Sequence, residues 1–150
     1  MNELSNPMFD LGKLTGEVLK LPQIQSETNH YHAHGIYART VFSAAGTLII
    51  GKVHKTEHLY CVLSGKVRVV TKEGTFDLDA TKAPQILTCP VGTQRAVYIL
   101  EDAWRMNVHL NLENIIDLDI LENELVDTPE DCAFLPGNIL KKEYLPCPSL

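Results

Sequence analysis

The chain lacks three common chemical signatures: it has no CxxC pair, no GxSxG motif and no glycine-rich phosphate loop. The four cysteines, Cys61, Cys89, Cys132 and Cys147, are spaced unlike a zinc module, and a reducing cytoplasm disfavours disulfides between them. Cys61 and Cys89 fall in strand-like runs and read as small buried hydrophobes. Ser64 precedes a glycine and is explained by turn chemistry rather than by nucleophilic catalysis. Long apolar runs are missing too; none approaches the roughly 20 residues of a membrane span. The opening stretch MNELSNPMFDLGKLTG carries acids early and has no apolar signal core. A cytoplasmic protein with no membrane partner is expected. Positive charge is in deficit: 13 Lys and Arg against 19 Asp and Glu give a net charge of -6. A binder of nucleic acid polymers would show a basic stripe. A small local basic pocket is compatible with this balance.

What the chain has is a succession of short strands. Its 150 residues predict one domain, 1–150, able to bury about 70% of its unfolded surface. Residues 1–28, with Pro7, Pro22 and weak periodicity, read as an N-terminal arm. Residues 29–112 read as a β core. The runs are YARTVF (37–42), TLIIGKVH (47–54), HLYCVLSG (58–65), KVRVVT (66–71), TFDLD (75–79), QILTCP (85–90), QRAVYIL (94–100) and WRMNVHLN (104–111). Their spacing of about ten residues and their β-branched content predict an all-β sandwich or barrel. Gly46, Gly65, Gly74 and Gly92 mark turns between them. Residues 113–150 carry a short helix and a tail. DLDILENELV (117–126) has Asp117 as cap and Ile120, Leu121 and Leu125 at helical spacing. The tail is rich in proline but carries Phe134, Leu135, Ile139, Leu140, Tyr144 and Leu145, so it is expected to pack on its own barrel or on a neighbouring subunit.

Alternation places the polar candidates. In TLIIGKVH the even positions Leu48, Ile50, Lys52 and His54 share a face. His58 shares one with Tyr60 and Val62, and Arg95 shares one with Val97 and Ile99. Each face carries a polar group at the end of an apolar stretch, the pattern of a barrel pocket with apolar walls and few convergent polar groups. In WRMNVHLN one side carries Trp104, Met106, Val108 and Leu110, and the other Arg105, Asn107 and His109. That polar side either faces solvent or enters the pocket. Arg95 either enters the pocket or pairs with Glu57, Glu101 or Asp102. Glu101 and Asp102 themselves read as loop residues that cap or pair. In HYHAH, His30, His32 and His34 alternate on one face. They could hold a metal or sense pH, but an exposed polar edge strand is the preferred reading.

The sequence resembles the cupin superfamily, small jelly-roll barrels with two signature motifs. The first reads G-x5-HxH-x3,4-E-x6-G. Here Gly46 and Gly65 frame it, His54 matches the second histidine, Lys52 stands at the first and His58 at the glutamate. The second reads G-x5-PxG-x2-H-x3-N. Pro90 and Gly92 match its PxG, while Pro84, Arg95 and Ile99 stand at its glycine, histidine and asparagine. The resemblance covers residues 36 to 112 and implies a cupin-like jelly-roll barrel. More narrowly, AGTLIIGKVHKTEHLYCVLSGKV, PVGTQRAVYILED and DLDILENELV are similar to short cupin-like proteins carried by bacteria and their phages.

Three functional expectations follow. The leading one is a small-molecule-binding protein in which Lys52, His54, His58, Tyr60 and Arg95 form a cationic pocket for an anionic metabolite or nucleotide, with Arg95 giving a bidentate grip. The second is a metal-dependent isomerase, lyase or dioxygenase. His54 and His58 would hold one divalent ion (Zn, Fe, Mn or Ni), with His109 as third ligand because the last barrel strand of cupins lies near the first motif. Lys52 and Arg95 count against it, since cations repel a dication. The third is a structural or interaction protein, for example a phage component, with a vestigial pocket. A homo-oligomer, most simply a dimer, is expected to cover the barrel edges and the apolar tail.

Overall fold

The computed structural model describes residues 11–18, 20–24, 26–127, 134–135 and 139–140. In chain order the elements are α1 (Leu11–Val18), β1 (Glu27–Ala33), β2 (Gly35–Ser43), β3 (Leu48–Ile50), β4 (Val53–His54), β5 (His58–Thr71), β6 (Gly74–Asp79), β7 (Gln85–Cys89), β8 (Ala96–Asn111), α2 (Leu118–Leu125), β9 (Val126–Asp127), β10 (Phe134–Leu135) and β11 (Ile139–Leu140).

Two long strands organise the fold. β5 and β8 pair antiparallel from Leu59↔Val108 to Val70↔Ala96. Each changes its other neighbour half-way. β5 pairs first with β7 and then with β6. β8 pairs first with β3 and then with β2, beside which β1 forms the edge. One half-sheet is thus β1–β2–β8–β5–β7 and the other is β3–β8–β5–β6. Their inner faces meet in one core: Tyr60, Val62 and Cys89 from the first pack with Val67, Val69, Leu78, Val97 and Ile99 from the second. This is the all-β fold that the strand pattern predicted, in the jelly-roll form that the cupin resemblance implied.

The bend between the halves has a local cause. Tyr60 and Val62 point inward before it, and Val67 and Val69 after it. Inward parity therefore changes from even to odd, which requires one extra residue in the strand. The register with β8 shifts between Val62 and Val67. Gly65 sits there at φ +80°, and a Cβ on it would be driven into the Asp102 carbonyl oxygen and the Ala103 Cα. The turn expected at Gly65 is thus a bulge inside one continuous strand. The two expected strands 94–100 and 104–111 likewise fuse into β8. Glu101 and Asp102 lie within that strand rather than in a loop, and Asp102 Oδ1 accepts from the Ala45 amide at 2.8 Å.

Three further elements differ from or refine the sequence reading. The arm contains α1, whose Leu11, Leu14 and Val18 recur at helical spacing. The run 47–54 breaks in two. In β3 it is Ile49, opposite Val97, that packs on the core, not the even-numbered face. The Gly51 amide donates to the Arg95 carbonyl at 2.9 Å, and the chain resets its phase before β4. Finally, β1 is an exposed edge strand carrying His30 and His32, while His34 stands in the turn to β2.

The C-terminal helix forms where its cap predicts. Asp117 Oδ1 accepts from the Asp119 and Ile120 amides at 3.0 and 3.1 Å. Leu121 and Leu125 bury against Tyr37, with Ile115 and Val126 beside them. Behind the helix, β9 pairs with β4 (Val53↔Asp127, His54↔Val126). The Lys55 amide donates to Leu125 O and its ammonium to Asn123 O. This helix and strand form a clasp on the segment that carries His54. Of the tail, β10 pairs with β11; Cys132, Tyr144, Leu145 and Cys147 lie outside the described residues. Among the described residues no helix is long and apolar enough to cross a membrane.

Candidate functional site

Three histidines from separate stretches of chain converge inside the first half-sheet. His54 is held by its own backbone: its amide donates to Thr93 O at 3.0 Å, and its carbonyl accepts from the Gly92 amide at 2.8 Å. The Pro90–Thr93 turn, with Gly92 at φ +87°, supplies both partners. His58 opens β5 opposite Cys89, and His109 lies on β8 opposite Tyr37. The rings of His54 and His58 stack with centroids 3.9 Å apart, and His109 lies 5.4 and 5.0 Å from them. All three are buried, and one nitrogen from each lies within 4.8 Å of the others. The polar side of β8 is the inner side: Arg105, His109 and Asn111 are buried, whereas Leu110 is 60% exposed.

Burial holds these imidazoles neutral. His54 is pushed down to about 2, by burial first and then by the charges of His58, Arg95, His109 and Arg39. His109 falls to about 3 for the same primary reason, and His58 to about 4, where the Thr56 carbonyl opposes the effect of burial. His58 Nδ1 lies 3.1 Å from Thr56 O, which assigns the proton to Nδ1 and leaves Nε2 as an acceptor. Neutral imidazoles with free lone pairs are what a divalent cation requires.

The donor set fits a metal. His54 Nδ1 and His109 Nδ1 are buried with no hydrogen-bond partner, a costly state for polar atoms unless a ligand takes them. Two nitrogens bonded at about 2.1 Å to one ion lie at most about 4.2 Å apart, so the cluster needs only a small contraction. One contact competes: Arg95 Nη1 donates to His58 Nε2 at 3.1 Å. A cation on that lone pair displaces the guanidinium from it.

Arg95 is the other unusual feature. It is buried, and its guanidinium carbon lies 4.2 Å above the centre of the Tyr60 ring. Its remaining contacts are Cys89 Sγ at 3.3 Å and Asn107 Oδ1 at 3.1 Å. Burial pushes the Cys89 thiol up against the opposing influence of Arg95, so the sulfur is a neutral acceptor. The ion pair considered with Glu57, Glu101 or Asp102 is not formed. A cavity of about 250 Å³ lined by Phe76, Leu87, Pro90 and Thr93 shares Cys89 and Arg95 with this network.

Lys52 is placed differently from the sequence reading. Its ammonium is 2.6 Å from Glu122 Oε1 on α2, so it ties the clasp to the barrel. Tyr60 is inside, with its hydroxyl unpartnered. Sequence reasoning passed over Tyr37, which stacks on His109 and lies 2.7 Å from His30 Nδ1 through its hydroxyl. It also passed over Arg105 as a site residue.

The architecture is cupin-like. A cupin superfamily protein from Desulfitobacterium hafniense is 14% identical, with a TM-score of 0.50 over 60% of this chain and 81% of that one. A protein of unknown function from Streptococcus pyogenes is 16% identical, with a TM-score of 0.49 over 60% and 77%. A cupin-2 domain containing protein from Shewanella frigidimarina is 12% identical, with a TM-score of 0.48 over 65% and 92%. No protein-family model and no curated protein matches the chain. At 14% identity, what the chain shares with the Desulfitobacterium hafniense protein is the fold.

Proposed function

We propose that this protein binds a small anionic molecule at a divalent cation held by His54, His58 and His109. The observation that carries the reading is the convergence of three buried, neutral imidazoles, two of them with orphaned Nδ1 atoms. An all-imidazole set suits zinc, iron or nickel. When bound, the cation supplies Lewis acidity and open positions for water or an oxygen ligand. The chain's own residues do the rest. Thr56 O fixes the His58 tautomer, β9 and the Pro90–Thr93 turn hold His54, and Arg95 offers a guanidinium to an anion. Lys52 is engaged by Glu122 on α2.

Elemental analysis of untagged protein tests this. Wild type should carry close to one divalent ion per chain, and His54→Ala or His109→Ala less than one-tenth. Metal below one-tenth in wild type, or unchanged in both variants, would overturn the metal reading. A second reading, an anion pocket without metal, is favoured by the Arg95–His58 hydrogen bond. It predicts metal-free wild type whose melting point still rises with anions and loses that response in Arg95→Ala.

A further inference from the structure

We infer that the ligand is doubly charged, held between Arg95 and a second buried guanidinium, Arg105. This rests on the anionic reading of the site and adds the charge of the ligand and a residue outside the histidine cluster. Arg105 is 8% exposed and donates through Nη2 to Ser43 Oγ at 3.0 Å. Its Nε is buried with no partner. Arg105 and Asn107 share one side of β8, and Asn107 Oδ1 accepts from Arg95. Half-buried Arg39 stands opposite Asn107 on β2. Three arginines therefore surround one asparagine on the inner face.

No acid among the described residues forms an ion pair with them. The ion pairs among the described residues join Lys20 to Glu17, Lys52 to Glu122, Lys55 to Asp127 and Arg68 to Asp77. A guanidinium does not shed its proton in proteins, so it cannot escape burial by neutralising, as the histidines do. Buried charges persist where something pairs them. Asn107, Ser43 and the Cys89 thiol are neutral, so they accept hydrogen bonds from the guanidiniums without offsetting their charge. In a protein of net charge -6 this concentration of uncompensated cations is local and internal. The orphaned donors match: Tyr60 Oη and Arg105 Nε both lie inside the barrel without partners. Of the two buried guanidiniums a monoanion leaves one uncompensated, whereas a dianion offsets both; Arg39 is only half-buried and keeps contact with solvent. The shared chemistry is a doubly charged oxyanion, either one phosphate group or two carboxylates on a short chain.

The test is calorimetric titration of the full chain, as isolated with its metal, with inorganic phosphate, succinate and acetate. At least one dianion should bind ten-fold or more tighter than acetate; phosphate against succinate identifies the source of the charge. Arg105→Gln should abolish that preference while the ligand-free melting point holds or rises, since an unpaired buried charge is removed. Tyr60→Phe, which keeps the shape of the core, should weaken the dianion three- to ten-fold and serves if Arg105→Gln does not fold. Equal affinity for acetate and both dianions overturns the inference, as does full dianion preference in the variants. Metal content measured on the same samples separates the two readings. Bound metal without dianion preference sinks this inference alone, and dianion preference without metal sinks the metal reading alone.

Discussion

His58 has little freedom. Its Nδ1 proton is committed to Thr56 O, so Nε2 is the atom that either ligates or accepts from Arg95. Burial also gives the cluster a pH signature. In the unfolded chain each histidine titrates near 6.5, whereas the folded values are about 2, 4 and 3 for His54, His58 and His109. Protons therefore bind the unfolded state preferentially. Stability is whole above pH 6.5 and is lost as pH falls from there, down to about 4 for His58 and to about 3 and 2 for His109 and His54. At pH 5 the loss is about 2 kcal/mol per histidine, large against a typical total of about 5–15 kcal/mol. With chelator present, the urea midpoint of wild type should drop between pH 7 and 5, and that of His109→Gln should drop by about one-third less. Identical drops would show that His109 is not held neutral by burial.

At the scale of the strand, the Gly65 bulge decides which side chains meet. Gly65→Ala combines a positive φ with backbone overlap at Asp102 and Ala103, and should cost about 3–5 kcal/mol. A denaturant midpoint within experimental error of wild type would refute that. This bulge also explains what the sequence revealed and what it hid. Alternation placed Tyr60, Val62, Val97 and Ile99 inside correctly, because each lies within an unbroken stretch of strand. It misassigned Leu48 and Ile50, because phase is lost between Gly51, whose amide still continues the β3–β8 register to Arg95, and His54, which bonds to Thr93. Lys52 was legible as a cation but not as a partner of Glu122, since that pairing depends on where α2 docks 70 residues later. His54, His58 and Arg95 were legible from motif spacing. Arg105 was not, because its solvent-facing alternative has the same alternation.

The whole molecule couples its C-terminal clasp to the barrel through His54. β4 finds its strand partner in β9, and Leu121 and Leu125 anchor the clasp on Tyr37. Leu121→Ala should weaken docking by about 2–5 kcal/mol and lower metal affinity at least ten-fold. Undiminished affinity, with faster amide exchange in α2, would uncouple clasp from site. The same pairing has a consequence in time. His54 and its partner Val126 are separated by 72 residues, the difference between the two numbers in their register. At synthesis rates of roughly 5–20 residues per second, β9 follows β4 by about 4–15 s. Throughout that interval His54 is translated but lacks the strand that positions it. The histidine cluster accordingly matures late on the nascent chain, and a cation held as proposed would load after the barrel rather than template it.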